Sequence, residues 1–182
     1  TNAAQGGSCC KPEVNFYEES LLDAIPEDIA NFSLGCGNPI AEADLKPGET
    51  VLDLGSGGGL DCFLAAKQIG DDGLAIGIDM TPDMLAKAWQ NAAKLGVENV
   101  DFRKGFLEDL PVESDSVEVV ISNCVVNLSP DKEMVFKEIY RVLKPGGRIS
   151  ISDILVNGTL PDEVLAERDA WSACVSGALT VE

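Results

Sequence analysis

Three cysteines sit in short segments that are rich in glycine or end a strand: Cys36 in GCGNP, Cys124 in ISNCVVNLSP and Cys174 in WSACVSGAL. Sulfur is a soft ligand, so thiolates converging from distant segments suit a soft trivalent centre. Such a centre, held by three sulfurs, keeps its lone pair and is a nucleophile that needs no proton removed. The chain has no histidine, the commonest general base, and this chemistry asks for none. A free cysteine also packs well as a small hydrophobe, so each of the six cysteines has a plain core reading beside the chemical one. Cys62, on a predicted helix between Asp61 and Phe63, is assigned to the core. Structural zinc usually takes four ligands with close Cys-x2-4-Cys spacing, which is missing here apart from the adjacent Cys9-Cys10 pair.

A second constellation lies between the first two of those cysteine segments. DLGSGGG, residues 53 to 59, follows an apolar run and opens a helical pattern, so its glycines allow close backbone approach and its amides face a ligand. The glycine spacing alone is weak. Its companion is Asp79 in GIDMTPDML, at the end of the next apolar run, where a carboxylate can accept both hydroxyls of a ribose. A nicotinamide site would prefer the longer G-x-G-x-x-G spacing.

These residues must be positioned by alternating strands and helices, the pattern of a parallel sheet covered on both faces. TVLDLG reads as a first strand, LAIGID as a second, NVDFRKG as a third, SVEVVISNC as a fourth and GRISISDILV as a fifth. Between them, LDCFLAAKQIG ends on Gly70, and TPDMLAKAWQNAAKLG starts with Thr81 as a cap and Pro82 in its first turn and closes at Gly96. SPDKEMVFKEIYRVLKPGG is expected to be capped by Ser129 with Pro130 at its first position, and a last helix is expected from about Pro161 to near Gly177. Ligands of open α/β sheets bind at the carboxyl ends of the strands, which puts Asn123 and Cys124 at that edge. Residues 1–19 show no sustained period and read as a flexible arm carrying the Cys9-Cys10 pair, ahead of one domain over residues 20–182.

With 13 basic and 31 acidic residues the net charge is −18, which repels phosphate backbones and anionic headgroups. Nucleic acid and membrane are therefore not expected partners, and the excess acid is read as solvated surface. The sequence shows neither an initiating Met nor a signal-like segment, and it is read as starting inside a longer gene product. Six cysteines spread through α/β elements favour reduced thiols in the cytoplasm over a disulfide framework.

VLDLGSGGG, with its acidic residue before the first glycine, resembles motif I of S-adenosylmethionine-dependent methyltransferases, and the likeness continues through GIDMTPDML, EDLPVESDSVEVVIS and RVLKPGGRI. GCGNP, DLGSGGGLDC, ISNCVVNLSPDK and WSACVSGAL together narrow it to a resemblance to arsenite methyltransferases. The resemblance implies a Rossmann-like class I α/β fold and S-adenosylmethionine as the methyl donor. It implies a donor site of Asp53, Gly55, Ser56 and Gly57 on the methionine side, Asp79 on the ribose and Met80 beside adenine. The Gly105-Phe106-Leu107 loop would close over the adenine edge, with Asn123 nearby, although Phe106 and Leu107 have a core reading too. Cys36, Cys124 and Cys174 would hold As(III). Trp171, on a predicted helix three residues before Cys174, is read first as core, with a wall of the substrate chamber as its second reading. The implied partners are thiol-bound arsenite or methylarsenite and a thiol reductant such as thioredoxin or glutathione, and the implied role is arsenic detoxification. Two departures stand out: Phe32-Ser-Leu replaces the aromatic usual just before Gly-Cys-Gly, and five strands are counted where the class I sheet has seven, so C-terminal strands are expected to be missing.

Overall fold

The computed structural model describes residues 17, 22, 25–30, 35–165, 170 and 174–181, so Cys9, Cys10 and Trp171 lie outside the described residues. Two single-turn helices, α1 (Glu27–Ala30) and α2 (Pro39–Glu42), precede the sheet. The strands β1 (Thr50–Leu54), β2 (Leu74–Asp79), β3 (Val100–Lys104), β4 (Val117–Asn123) and β5 (Leu143–Ser152) pair in parallel in the order β3-β2-β1-β4-β5. The helices α3 (Leu60–Ile69), α4 (Pro82–Leu95) and α5 (Lys132–Val142) form the crossovers. This is the doubly wound α/β arrangement expected from the alternating sequence. The strand order reverses between β1 and β4, and the crevice at that switch point is where such sheets take ligands.

Alternation along the strands divides the core into two layers. Val51, Val119 and Ile121 face a cluster with Phe63, Leu64 and Ile69 of α3 and Leu85, Ala88 and Ala92 of α4. Leu52, Leu54, Ile78 and Val120 face the other side, against Val135, Ile139 and Val142 of α5. On α4 and α5 the buried positions recur at three- and four-residue intervals, the stripe of a helix packed on one face. Gly96 ends α4 in a left-handed turn with φ 67°.

Several local expectations differ from the structure. Ser129 does not cap α5: a proline disfavours helical geometry in the residue before it, Ser129 is extended at φ −72° and ψ 134°, and Asp131 takes over by accepting from the Met134 N–H at 3.0 Å. Thr81 makes no side-chain cap at α4; its backbone N–H donates to Asp79 Oδ1 at 2.8 Å. The expected fifth strand splits at Asp153, and Leu155–Asn157 (β6) pairs in parallel with Leu179–Val181 (β7) in a separate ribbon. The expected last helix is described over Asp162–Leu165 (α6) and at Ala170, and residues 174–178 form turns before β7. Among the described residues no helix is long and apolar enough to cross a membrane.

Candidate functional site

The loop after β1 turns through Gly55 at φ 73° and Gly57 at φ 52°, in the left-handed region that glycine enters without strain. A side chain at Gly55 would collide with Val125, so only glycine lets the β1 loop and the chain after β4 approach each other. The loop is fastened to the end of β2: the Gly55 and Ser56 N–H groups donate to Ile78 O at 2.8 and 2.9 Å, and the Gly57 N–H donates to Asp79 Oδ2 at 2.9 Å. With Thr81 on the other oxygen, both Asp79 oxygens are oriented, yet each keeps a further lone pair for a ligand.

Two cavities meet at this loop. The first, of about 230 Å³, has Gly55, Ser56, Gly57, Asp61, Asn123 and Cys124 on its wall. The second, of about 400 Å³, is lined by Met80, Gly105, Phe106 and Leu107 among others. Gly55, Asp79, Val125 and Leu128 border both. Phe106 is 56 % exposed, so it belongs to the cavity rim rather than to the core, whereas Leu107 packs partly against the core. Among the described residues, no lysine or arginine lines either cavity.

Asp53 is buried beneath the first cavity and is not among its lining residues. Its Oδ2 accepts from the Cys62 thiol at 3.4 Å. Burial, reinforced by the neighbouring Asp61 carboxylate, pushes the Asp53 carboxyl well above its ordinary range. Burial likewise raises Cys62 far above its ordinary value and keeps it a thiol, in line with its core assignment.

The thiol corner adjoins the first cavity and is built from remote segments. Cys36 and Cys124, 88 residues apart, form a disulfide with Cα atoms 5.7 Å apart, where the sequence favours reduced thiols. Asn123 supplies the reason for their approach. Its Oδ1 accepts from the Cys36 and Gly37 N–H groups at 3.0 and 3.2 Å, and its Nδ2 donates to Gly37 O at 3.0 Å. A side chain at Gly35 would run into the Asn123 amide, which explains the glycine before Cys36. Behind this loop, Ser150 Oγ donates to Pro39 O at 2.8 Å, and Arg148 pairs with Glu49 through both guanidinium arms at 2.7 Å. Segment 35–49 is thereby tied to β5.

Cys124 and Cys174 are non-glycine residues at φ 59° and 61°. Left-handed backbone at such residues costs on the order of 1–3 kcal/mol and persists only where surrounding contacts hold it. Here the Cys124 N–H donates to Ser152 O at 2.7 Å, and Cys174 Sγ donates to Cys124 O at 2.8 Å. Cys174 thus lies against the Cys124 backbone, with its sulfur directed at a carbonyl. Among the described residues, the group close enough to share one ion consists of Cys36, Cys124 and an Asp153 carboxylate oxygen, all within 4.8 Å of one another. Asn127, buried, donates from its backbone N–H to Asp153 Oδ2 at 3.0 Å and from Nδ2 to Ile154 O and Cys174 O at 2.7 and 3.3 Å.

Four participants were not marked by sequence reasoning: Tyr17, Asp61, Asn127 and Asp153. Tyr17 is buried, its hydroxyl donating to Asp61 Oδ1 at 2.6 Å and accepting from Asn123 Nδ2 at 3.0 Å. It stands in a stretch without periodicity, so no sequence signal pointed to it. Asn127 lies within the quoted Asn-Cys-Val-Val-Asn-Leu block, and a second amide near Cys124 was a signal that could have been used.

The sequence matches the family described as a methyltransferase domain over residues 45–182. It is 52% identical over 182 residues to an arsenite methyltransferase of Halobacterium salinarum, covering 97% of this chain and 46% of that protein. To the human arsenite methyltransferase it is 38% identical over 178 residues, 93% of this chain and 47% of that one. The fold resembles the crystal structure of an arsenic (III) S-adenosylmethionine methyltransferase from Chlamydomonas reinhardtii, with a TM-score of 0.79 and 42% identity over 88% of this chain and 56% of that one. The chain spans about half the length of the curated relatives it matches.

Proposed function

The chain belongs to the methyltransferase-domain family, and from that premise we propose that the protein transfers methyl groups from S-adenosylmethionine to trivalent arsenic held by its own cysteines. One observation carries this reading: Cys36 and Cys124 reach bonding distance at the wall of the cavity that the glycine loop and Asp79 also border. A methyltransferase for a carbon or oxygen nucleophile would not require two remote thiols there.

The residues lining the two cavities support donor binding there. Asp79 is placed for ribose hydroxyls, the rim of Met80, Phe106 and Leu107 for a purine, and the pocket beside Asp61 and Cys124 for the amino-acid end. When bound, the donor supplies an electrophilic methyl group. The chain's part is to fix the approach of the acceptor, and positioning of this kind accounts for a large share of a two-substrate rate enhancement.

The sulfurs bind arsenic only when the Cys36–Cys124 disulfide is open, so a thiol reductant such as thioredoxin or glutathione is the implied partner and the cytoplasm the implied compartment. Each thiol then replaces one hydroxyl of arsenite and releases one water. Asn123 and Asn127 keep the Cys36 loop and the Cys174 turn beside Cys124. The Cys9-Cys10 pair is assigned the delivery of arsenic or of reducing equivalents.

Transfer of labelled methyl from S-adenosylmethionine to arsenite under excess thiol tests the reading. Product from the parent, abolished in Cys36→Ser and Cys124→Ser while donor binding persists, is the expected result. An unaltered yield from both variants would exclude the thiol cradle, and an absence of arsenite binding would exclude the arsenic substrate.

A further inference from the structure

Asp61 is given no role of its own above beyond bordering the pocket, yet it is the carboxylate the cavity wall presents beside Asn123 and Cys124. It stands in the first turn of α3 and is 8% exposed. Both of its oxygens are held: Oδ1 accepts from the Tyr17 hydroxyl at 2.6 Å and Oδ2 from Asn123 Nδ2 at 3.3 Å. These donors are neutral. Among the described residues, none of the ion pairs includes Asp61, and no basic side chain lines either cavity. A buried carboxylate is costly unless it is paired, and none of the described residues supplies a cation here, so the wall is a socket for a cationic group.

The orientation of the ligand follows from the other two anchors. Asp79 marks the ribose, and the larger cavity beyond it takes the base, so the amino-acid end lies toward Asp61. That end carries an α-ammonium group. Asp53 is less suited to meet it, because that carboxyl lies beneath the wall and is engaged by Cys62.

We propose that Asp61, oriented by Tyr17 and Asn123, is the residue that selects the cationic amino-acid end of the methyl donor. The inference rests on the donor reading given above. It gives Tyr17, which is remote in sequence, a positioning role, and it places donor recognition one side chain away from the Asn123 amide that holds the Cys36 loop.

Calorimetric titration of the intact protein with two thioethers tests this: S-adenosylhomocysteine, which has the amino-acid end, and 5′-methylthioadenosine, which lacks it. In Asp61→Asn the affinity for S-adenosylhomocysteine is expected to fall about 10- to 100-fold, the range for loss of a charged hydrogen bond, with 5′-methylthioadenosine changed by less than about two-fold. A parallel loss for both ligands would make Asp61 merely structural and overturn the inference, as would no loss for either. Should circular dichroism show Asp61→Asn unfolded, Tyr17→Phe leaves the carboxylate in place, and the same split, about three- to ten-fold against no change, is expected. Failure of the parent to bind either thioether would overturn the donor reading itself, an outcome distinct from a parallel loss.

Discussion

The glycine-loop region and the thiol corner lie against the same cavity but are built in opposite ways. The loop from Gly55 to Gly57 is anchored by its own backbone amides to Ile78 and Asp79 at the neighbouring strand end, using residues that a short motif and the next strand supply. The thiol corner brings residues 36, 124, 153 and 174 together, and side-chain amides do the holding. A region held mainly by backbone amides at adjacent strand ends does not hang on any one side-chain amide. A region held by single amides depends on each of them.

Asn123→Ala should expose that dependence most strongly. It removes bonds to Cys36, Gly37, Tyr17 and Asp61 at once, and leaving several part-buried groups unpaired is expected to cost about 3 kcal/mol in chemical denaturation. It should also slow Cys36–Cys124 disulfide formation, measured by thiol titration. Unchanged stability and unchanged closure would mean that the corner is held by the backbone after all.

Asp79→Ala should act on the other region alone. Donor affinity is expected to fall about 30-fold, roughly 2 kcal/mol, while the disulfide still closes at the parental rate. A loss of closure in this variant would join the two regions that the structure keeps distinct.

Asp53→Asn gives a smaller and pH-dependent effect. Burial holds the folded carboxyl above its ordinary value of 3.8, so the stability that its neutral form contributes is fully present below that value and is lost as pH rises through the raised folded value. Melts of ligand-free protein from acid to neutral pH should show the parent losing stability relative to Asp53→Asn. Parallel curves would indicate that the carboxyl is not shifted. Phe106→Ala should do least: the exposed ring leaves the fold intact, and donor affinity should drop only about two- to five-fold in an equilibrium titration.

Much of the site was legible before any coordinates. Asp79 and the glycines were recognisable because a strand followed by a glycine turn and a helix is a local arrangement, and the crossovers that separate β1 from β2 are short. Cys36, Cys124 and Cys174 could be singled out by type and flanking residues, but nothing in their spacing states that the first two touch. Tyr17 and Asp61 were silent, since one stands in aperiodic sequence and the other looks like an ordinary acidic residue in the first turn of a helix. Ser129 misled, because a serine before a proline is also the pattern of a capped helix.

By itself the sequence determined the parallel α/β alternation, the β1 loop and the carboxylate ending β2, all of which follow from hydrophobic period and from the backbone freedom of glycine over short spans. Only the tertiary structure decided that Cys36 meets Cys124, that Asn123 clamps the Cys36 loop, and that Asp61 rather than Asp53 stands on the cavity wall. Those outcomes depend on the packing of segments far apart in the chain, and on side-chain hydrogen bonds that form only once the sheet has brought their partners together.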